Sequence, residues 1–203
     1  MTAITNAINI IDVMDGLATG TAMIASAFLF AISIFVGDDP VVPFMAVVLA
    51  GALLGFLRFN QRPAKIFLGD TGSLFIGFML GALTMLVSYS GTNGRLTLLT
   101  PVVLLAIPIF DTVFVAWHRA RRGLSVFRGS PDHFVLRLAH SAGWSVARIV
   151  RTVYAIAAGL GFIALTLVFG PTVLVAPLLL VVAVSAILAS RYLSRLPRPE
   201  LDA

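Results

Sequence analysis

Six stretches of this chain are apolar over the length of a bilayer crossing: roughly 18–36, 41–57, 73–89, 96–116, 152–169 and 172–190. At about 1.5 Å of rise per residue, ~17–25 apolar residues carry a helix through ~30 Å of hydrocarbon. Little is left with which to coat a soluble surface. Charged residues make up 11% and hydrophobic residues 59%, where a soluble domain carries about 25% charged. The expected fold is all-α, a polytopic integral membrane helical bundle of about six transmembrane helices, read as a single membrane domain over 1–203. The absence of cysteine excludes disulfide frameworks, thiolate metal sites and a cysteine nucleophile. A metal, if used, is held by oxygen or imidazole.

Basic residues set the expected orientation. Arg58, Arg62 and Lys65 fall in the segment 58–72, seven more lie between 117 and 151, and Arg191, Arg195 and Arg198 occupy the tail; only Arg95 falls on the other side. The positive-inside rule then makes 58–72 and 117–151 cytoplasmic loops and puts both termini in the cytoplasm, as expected for a multi-pass protein of the inner (plasma) membrane. The net charge of +5 sits at span ends, where anionic headgroups of the lipid bilayer account for it without nucleic acid. The first seventeen residues lack the basic and short apolar regions of a signal peptide. The pairs Gly16/Gly20, Gly51/Gly55 and Gly77/Gly81 read as close helix packing. Asp38-Asp39 reads as a solvated turn before Pro40, across the bilayer from the other polar clusters.

Three spots are more polar than a membrane anchor requires. In the first, Asn6, Asn9, Asp12 and Asp15 recur at every third position among isoleucines and valine. On an unbroken helix they fan across about half the circumference, so they meet one ligand only if the helix bends or ends near Gly16. An interfacial arm facing water would give the same pattern. The second is Pro63-Ala64-Lys65-Ile66-Phe67-Leu68-Gly69-Asp70-Thr71-Gly72-Ser73, which opens a span. A carboxylate between glycines at a helix start, with a lysine nearby, offers a cation ligand and a phosphate counter-charge; Ser73 reads equally well as a helix cap. The third runs from Pro108-Ile109-Phe110-Asp111-Thr112 through Arg119, Arg121 and Arg122 to Asp132-His133-Phe134-Val135-Leu136-Arg137-Leu138. Asp111 lies deep enough in its span to need a partner, and Asp132-His133 stands in an Arg-rich loop suited to a diphosphate or to proton transfer. The three arginines read as positive-inside residues, and His118 and His140 as structural.

These segments, in this order, resemble the polyprenyl-phosphate N-acetylhexosamine-1-phosphate transferases, the superfamily of bacterial undecaprenyl-phosphate GlcNAc-1-phosphate transferases and phospho-MurNAc-pentapeptide translocases. The first is similar to the family's N-x-x-N-x-x-D-G-x-D-G-L, with Val13 at the first glycine. The second is similar to P-A-K-x-F-M-G-D-x-G-S. The third is similar to its P-x-x-D-T and histidine-bearing loop, nearer the GlcNAc branch, with Leu136 where relatives carry a second histidine. The resemblance implies transfer of an N-acetylhexosamine 1-phosphate from a UDP-N-acetylhexosamine to a polyprenyl (undecaprenyl) phosphate, with release of UMP and a requirement for Mg²⁺, at the start of cell-envelope glycan lipid synthesis. By the same resemblance Asp70 is a metal ligand joined by Asn9, and Asp70, Asp12, Asp15 and His133 are catalytic. Asn6, Asn9, Lys65, Asp111, Asp132 and Arg137 then bind substrate, with Lys65, His133 and Arg137 supplying positive charge to phosphate.

Family members carry an earlier half with a tandem-Asp motif. The chain is therefore expected to be a C-terminal portion or one half of a split enzyme; a noncatalytic remnant or scaffold is the alternative. A transporter would also explain carboxylates near the membrane, but such sites lie at mid-bilayer, whereas these gather with Lys65 at one face.

Overall fold

In the computed structural model, residues 1–36, 39–87, 89, 94–125 and 131–197 are described. All regular structure among them is helical: α1 (Thr2–Ile10), α2 (Leu17–Val36), α3 (Val41–Asn60), α4 (Gly69–Leu86), α5 (Thr100–Leu104) following a 3-10 turn at Gly94–Leu99, α6 (Ala106–Ala120), α7 (Phe134–Ser141), α8 (Val146–Phe169) and α9 (Thr172–Arg195). Five of these, α2, α3, α4, α8 and α9, are long and apolar enough to cross a membrane. Their outward faces are apolar, with Phe35, Phe67 and Val173 among the most exposed side chains. That is the surface of a chain solvated by lipid.

The fourth expected span, 96–116, is broken. Leu96–Leu104 and Ala106–Ala120 meet at 72°, so the pair counts as one bent span or as a re-entrant segment. Pro108 stands in the first turn of α6, where its missing N–H costs nothing, whereas a continuous helix would need that N–H to reach the Leu104 carbonyl. The third span starts earlier than its apolar content suggests, at Gly69, so Asp70 lies in the first helical turn and the connection from α3 shrinks to 61–68.

Two apolar clusters hold the bundle. The larger joins α2, α3, α4, α5 and α8 through Leu29, Ile32, Leu49, Leu80, Leu104 and Leu167. The second lies under the polar segments and joins Ile11 and Leu17 to Phe114, Phe134, Val135, Ile149 and Leu193. The three glycine pairs behave differently. At Gly77 an added Cβ would stand 2.7 Å from Thr5 Cα, and at Gly81 3.6 Å from Met1 Cα, so α1 lies directly on α4. Gly20 takes the ring of Tyr154, whose hydroxyl donates to the Gly16 carbonyl at 2.5 Å. Gly51 and Gly55 have nothing within 4 Å, so the expected close packing is not made there among the described residues.

Candidate functional site

Helix α1 ends at Ile10, earlier than the bend expected near Gly16, and the chain then turns through Ile11–Gly16 before α2. This early end turns the threefold polar pattern into a convergence. Asn9, still on α1, reaches α4: its Nδ2 donates to Asp70 Oδ1 at 3.0 Å and to Ser73 Oγ at 2.9 Å. Asp15, after the turn, reaches the connection between α3 and α4, where its Oδ2 accepts the Ala64 N–H at 3.1 Å. The first two motifs are thus fastened to each other twice. Gly16 and Gly69 permit this by adopting φ of 77° and 64°, values an L side chain resists.

Asp12 lies between these two links, half-buried. Burial pushes its carboxyl from the ordinary 3.8 up to about 6, and the charges of Asp70 and Asp15 add to the rise. Three carboxylates therefore share one field, although among the described residues no three His, Asp or Glu side chains come close enough to enclose a metal by themselves. Lys65 is exposed, and its backbone N–H, bonded to the Phe59 carbonyl at 2.7 Å, fixes where its side chain starts. Asn60 supports that turn from below, donating to the Ile66 carbonyl at 3.0 Å while Thr19 donates to its Oδ1 at 2.7 Å.

The third motif makes a cluster of its own. Asp111, fully buried on α6, accepts from His133 Nδ1 at 2.7 Å through Oδ2 and from the Phe134 N–H at 3.2 Å through Oδ1. Asp132, also fully buried, accepts from Arg137 at 2.9 Å and pairs with Arg122. Arg137 is 1% exposed, and it also donates to the Leu193 carbonyl of α9 at 3.2 Å and stacks over Phe114. What joins this cluster to the Asn9–Asp70 centre is packing: Phe134 and Val135 share apolar neighbours with Ile11 and Leu17. An open cleft of about 360 Å³ lies where the segments meet, lined by Asp15, Arg62, Leu136 and His140 with Val13 and Met14. That is within the size range of small-molecule sites, about 300–1,000 Å³.

The structure thus brings together Asn9, Asp12, Asp15 and Asp70, and separately Asp111, Asp132, His133 and Arg137. Asn6 is exposed and joins neither group. The polar groups that sequence reasoning passed over are Ser73, Arg122 and Asn60. Ser73 does not cap α4, which begins four residues earlier; its hydroxyl accepts from Asn9 and donates back to the Gly69 carbonyl at 3.0 Å. Arg122 is a partner of a buried carboxylate and so more than a positive-inside residue; nothing in the run Arg119, Arg121, Arg122 distinguishes it. The Asp38 half of the acidic pair lies outside the described residues, and Asp39 accepts the Val41 N–H at 2.9 Å, as a turn residue does.

A multi-pass helical bundle thus carries a carboxylate-and-amide centre at the ends of its helices, and sequence comparison adds a relationship. Residues 1–88 match the model of Glycosyl transferase family 4. The chain is 37% identical over 135 residues to a probable undecaprenyl-phosphate N-acetylglucosaminyl 1-phosphate transferase of Bacillus subtilis, covering 66% of this chain and 37% of that protein. It is 38% identical over 169 residues to a phospho-N-acetylmuramoyl-pentapeptide-transferase of Clostridium beijerinckii, covering 80% of this chain and 48% of that protein. A Listeria welshimeri protein of the latter name is 35% identical over 151 residues, with 74% and 44% covered. The chain is similar in sequence to these transferases and spans about half or less of the length of the relatives it matches. Identities of 37% and 38% do not separate the two branches, so the expected leaning toward the GlcNAc branch gains no support.

Proposed function

We propose that this chain forms the sugar-nucleotide side of a phosphoglycosyltransferase that moves an N-acetylhexosamine 1-phosphate from a UDP-sugar to undecaprenyl phosphate or a similar polyprenyl phosphate, releasing UMP on the cytoplasmic face of the inner membrane. The observation that carries this reading is the Asn9–Asp70 hydrogen bond. It makes one centre of two motifs sixty-one positions apart, at a helix start whose N–H groups favour phosphate. The relatives named above, which carry such transferase names, supply the reaction class.

The donor set fits Mg²⁺, which takes one or two carboxylates and completes its shell with water and phosphate oxygens. Asp70 would hold the cation, with Asp12 and Asp15 contributing charge; the Asp12 carboxyl is raised first by burial and then by its two neighbouring carboxylates, and a bound cation would offset that second contribution. Asn9 turns its nitrogen to Asp70, so it orients that carboxylate and would join the metal shell only through its other amide atom, Oδ1. When bound, Mg²⁺ neutralises charge on the diphosphate and on the departing UMP. The chain's own residues do the rest. Lys65, exposed on the turn that Asp15 and Asn60 hold, reaches toward phosphate oxygens. The cleft beside Asp15 and Arg62 receives the nucleotide. His133 faces the substrate phosphates, and the Asp132–Arg137 pair, buried against α9, keeps α7 in place rather than touching substrate. Little covalent chemistry falls to the protein; alignment and charge carry the rate.

The test is product analysis. Membranes containing the chain together with the N-terminal half of a relative, given labelled UDP-GlcNAc, Mg²⁺ and undecaprenyl phosphate, should yield a lipid whose mass is that of a sugar joined to polyprenol through a diphosphate. A lipid joined through a single phosphate, or no labelled lipid beyond a control without the chain, would contradict the reading.

A further inference from the structure

The two oxygens of Asp111 have separate tasks. Oδ1 accepts the Phe134 N–H, at the first residue of α7, and Oδ2 lies 2.7 Å from His133 Nδ1. A carboxylate accepts hydrogen bonds and has none to give, so Nδ1 is the nitrogen that carries the proton. A free imidazole in water prefers its proton on Nε2; here the buried pair imposes the opposite choice. Asp111 is fully buried and the His133 side chain 7% exposed, so water does not compete for the bond. The bond from Phe134 fixes the carboxylate to the backbone next to the histidine it serves, which locks the ring's direction as well as its tautomer. Capping α7 alone would need only Oδ1.

We infer that Asp111 is a positioning residue: it holds His133 as the Nδ1–H tautomer and leaves the Nε2 lone pair to accept a hydrogen bond, and then the proton, from the hydroxyl of a monoprotonated substrate phosphate, with the imidazolium so formed paired to the Asp111 carboxylate. This rests on the transferase reading for its substrate and departs from the expectation that Asp111 binds substrate. Neither of the other two histidines is held by a buried carboxylate. His118 Nε2 meets the Ser194 hydroxyl at 3.1 Å, which suits either tautomer, and His140 Nδ1 donates to the Leu136 carbonyl of its own helix at 3.0 Å, but from an exposed position where water competes.

The experiment is a long-range ¹⁵N–¹H correlation spectrum of the ¹⁵N-histidine-labelled chain in detergent micelles, above the imidazole titration range, with the His133 signals assigned by their loss in His133→Gln. The expected spectrum shows His133 with a protonated Nδ1 and an unprotonated Nε2. In Asp111→Asn the amide oxygen can keep the Phe134 N–H while its NH₂ faces Nδ1, so His133 should invert to the Nε2–H tautomer with the His140 signals unchanged. A wild-type His133 protonated on Nε2, or an unchanged tautomer in folded Asp111→Asn, would overturn the inference; should that variant fail to fold, the wild-type spectrum decides it. In the membrane transfer assay, Asp111→Asn should lower kcat about 100-fold or more with KM for the sugar nucleotide held. A raised KM at unchanged kcat would make Asp111 a substrate ligand and refute the positioning role. Absence of transfer in the wild type alongside the expected tautomer would count against the transferase reading alone.

Discussion

Gly77→Ala should break the link between the first two motifs without touching a polar group. Its Cβ would meet Thr5 Cα at 2.7 Å, the Thr5 carbonyl oxygen at 2.9 Å and the Ile4 carbonyl oxygen at 3.1 Å. These are backbone atoms, so no rotamer change relieves them. Carbon atoms settle at ~3.5–4.0 Å, so α1 must retreat from α4 by about 1 Å. The Asn9 bonds of 3.0 and 2.9 Å to Asp70 and Ser73 then pass out of range. Overpacking costs ~1–3 kcal/mol and the lost bond to a carboxylate, here exposed, about 1 kcal/mol, while alanine returns up to ~1 kcal/mol of helix propensity. The net of about 2 kcal/mol corresponds to a fall of about 4–8 °C in Tm for a chain of this size, read by circular dichroism in detergent. Gly81→Ala, at an ordinary 3.6 Å, should change little, and Gly51→Ala and Gly55→Ala, facing open space, should be neutral or slightly stabilising. A Gly77→Ala protein melting with Gly51→Ala would refute the packing of α1 on α4.

Asp12 supplies a pH dependence with a definite sign. Its folded pKa of about 6 exceeds the ordinary 3.8, so the folded state binds more protons across that window and stability should fall as pH rises through it, then level off; Asp12→Asn should flatten the slope, as melting curves at stepped pH would show. Asp132→Ala removes the carboxylate that Arg137 and Arg122 share and should cost ~3–5 kcal/mol. The double change Asp132→Leu with Arg137→Met should recover much of that loss in thermal melts if the pair only holds α7. Gly20→Ala should displace Tyr154 and lose its bond to the Gly16 carbonyl, with Tyr154→Ala restoring stability to the double variant; a Gly20→Ala protein as stable as wild type would contradict the contact.

The spans were legible because apolar length adds up along the chain whatever the tertiary fold. The break at Leu105 was not read from composition, although Pro108 carried its signal. The polar centre was half legible. Spacing alone offered Asn6 and Asn9 equally; what separates them is the phase of α1, fixed by the contact of Thr5 with Gly77, and Asn9 lies on the Thr5 face four residues on. Where α1 stops was beyond the pattern too, since its C-terminal end is set by Asn9 and Asp15 reaching two different elements. Asp111's need for a partner followed from its depth in a span, but its choice of His133 depends on where the 117–133 connection returns. Arg122 was hidden by two neighbouring arginines, and only the fold shows that it meets Asp132.

The most direct measurement is Mg²⁺-dependent release of UMP from UDP-GlcNAc in membranes carrying the chain with a relative's N-terminal half, comparing wild type with Asp70→Asn. The variant keeps the side chain's shape and its bond-accepting oxygen for Asn9 while removing the charge a cation needs. The account predicts release in wild type that vanishes with chelator and falls by at least about 100-fold in Asp70→Asn at equal expression. UMP release undiminished in Asp70→Asn would contradict the central claim that Asn9 and Asp70 form the phosphosugar-transfer site.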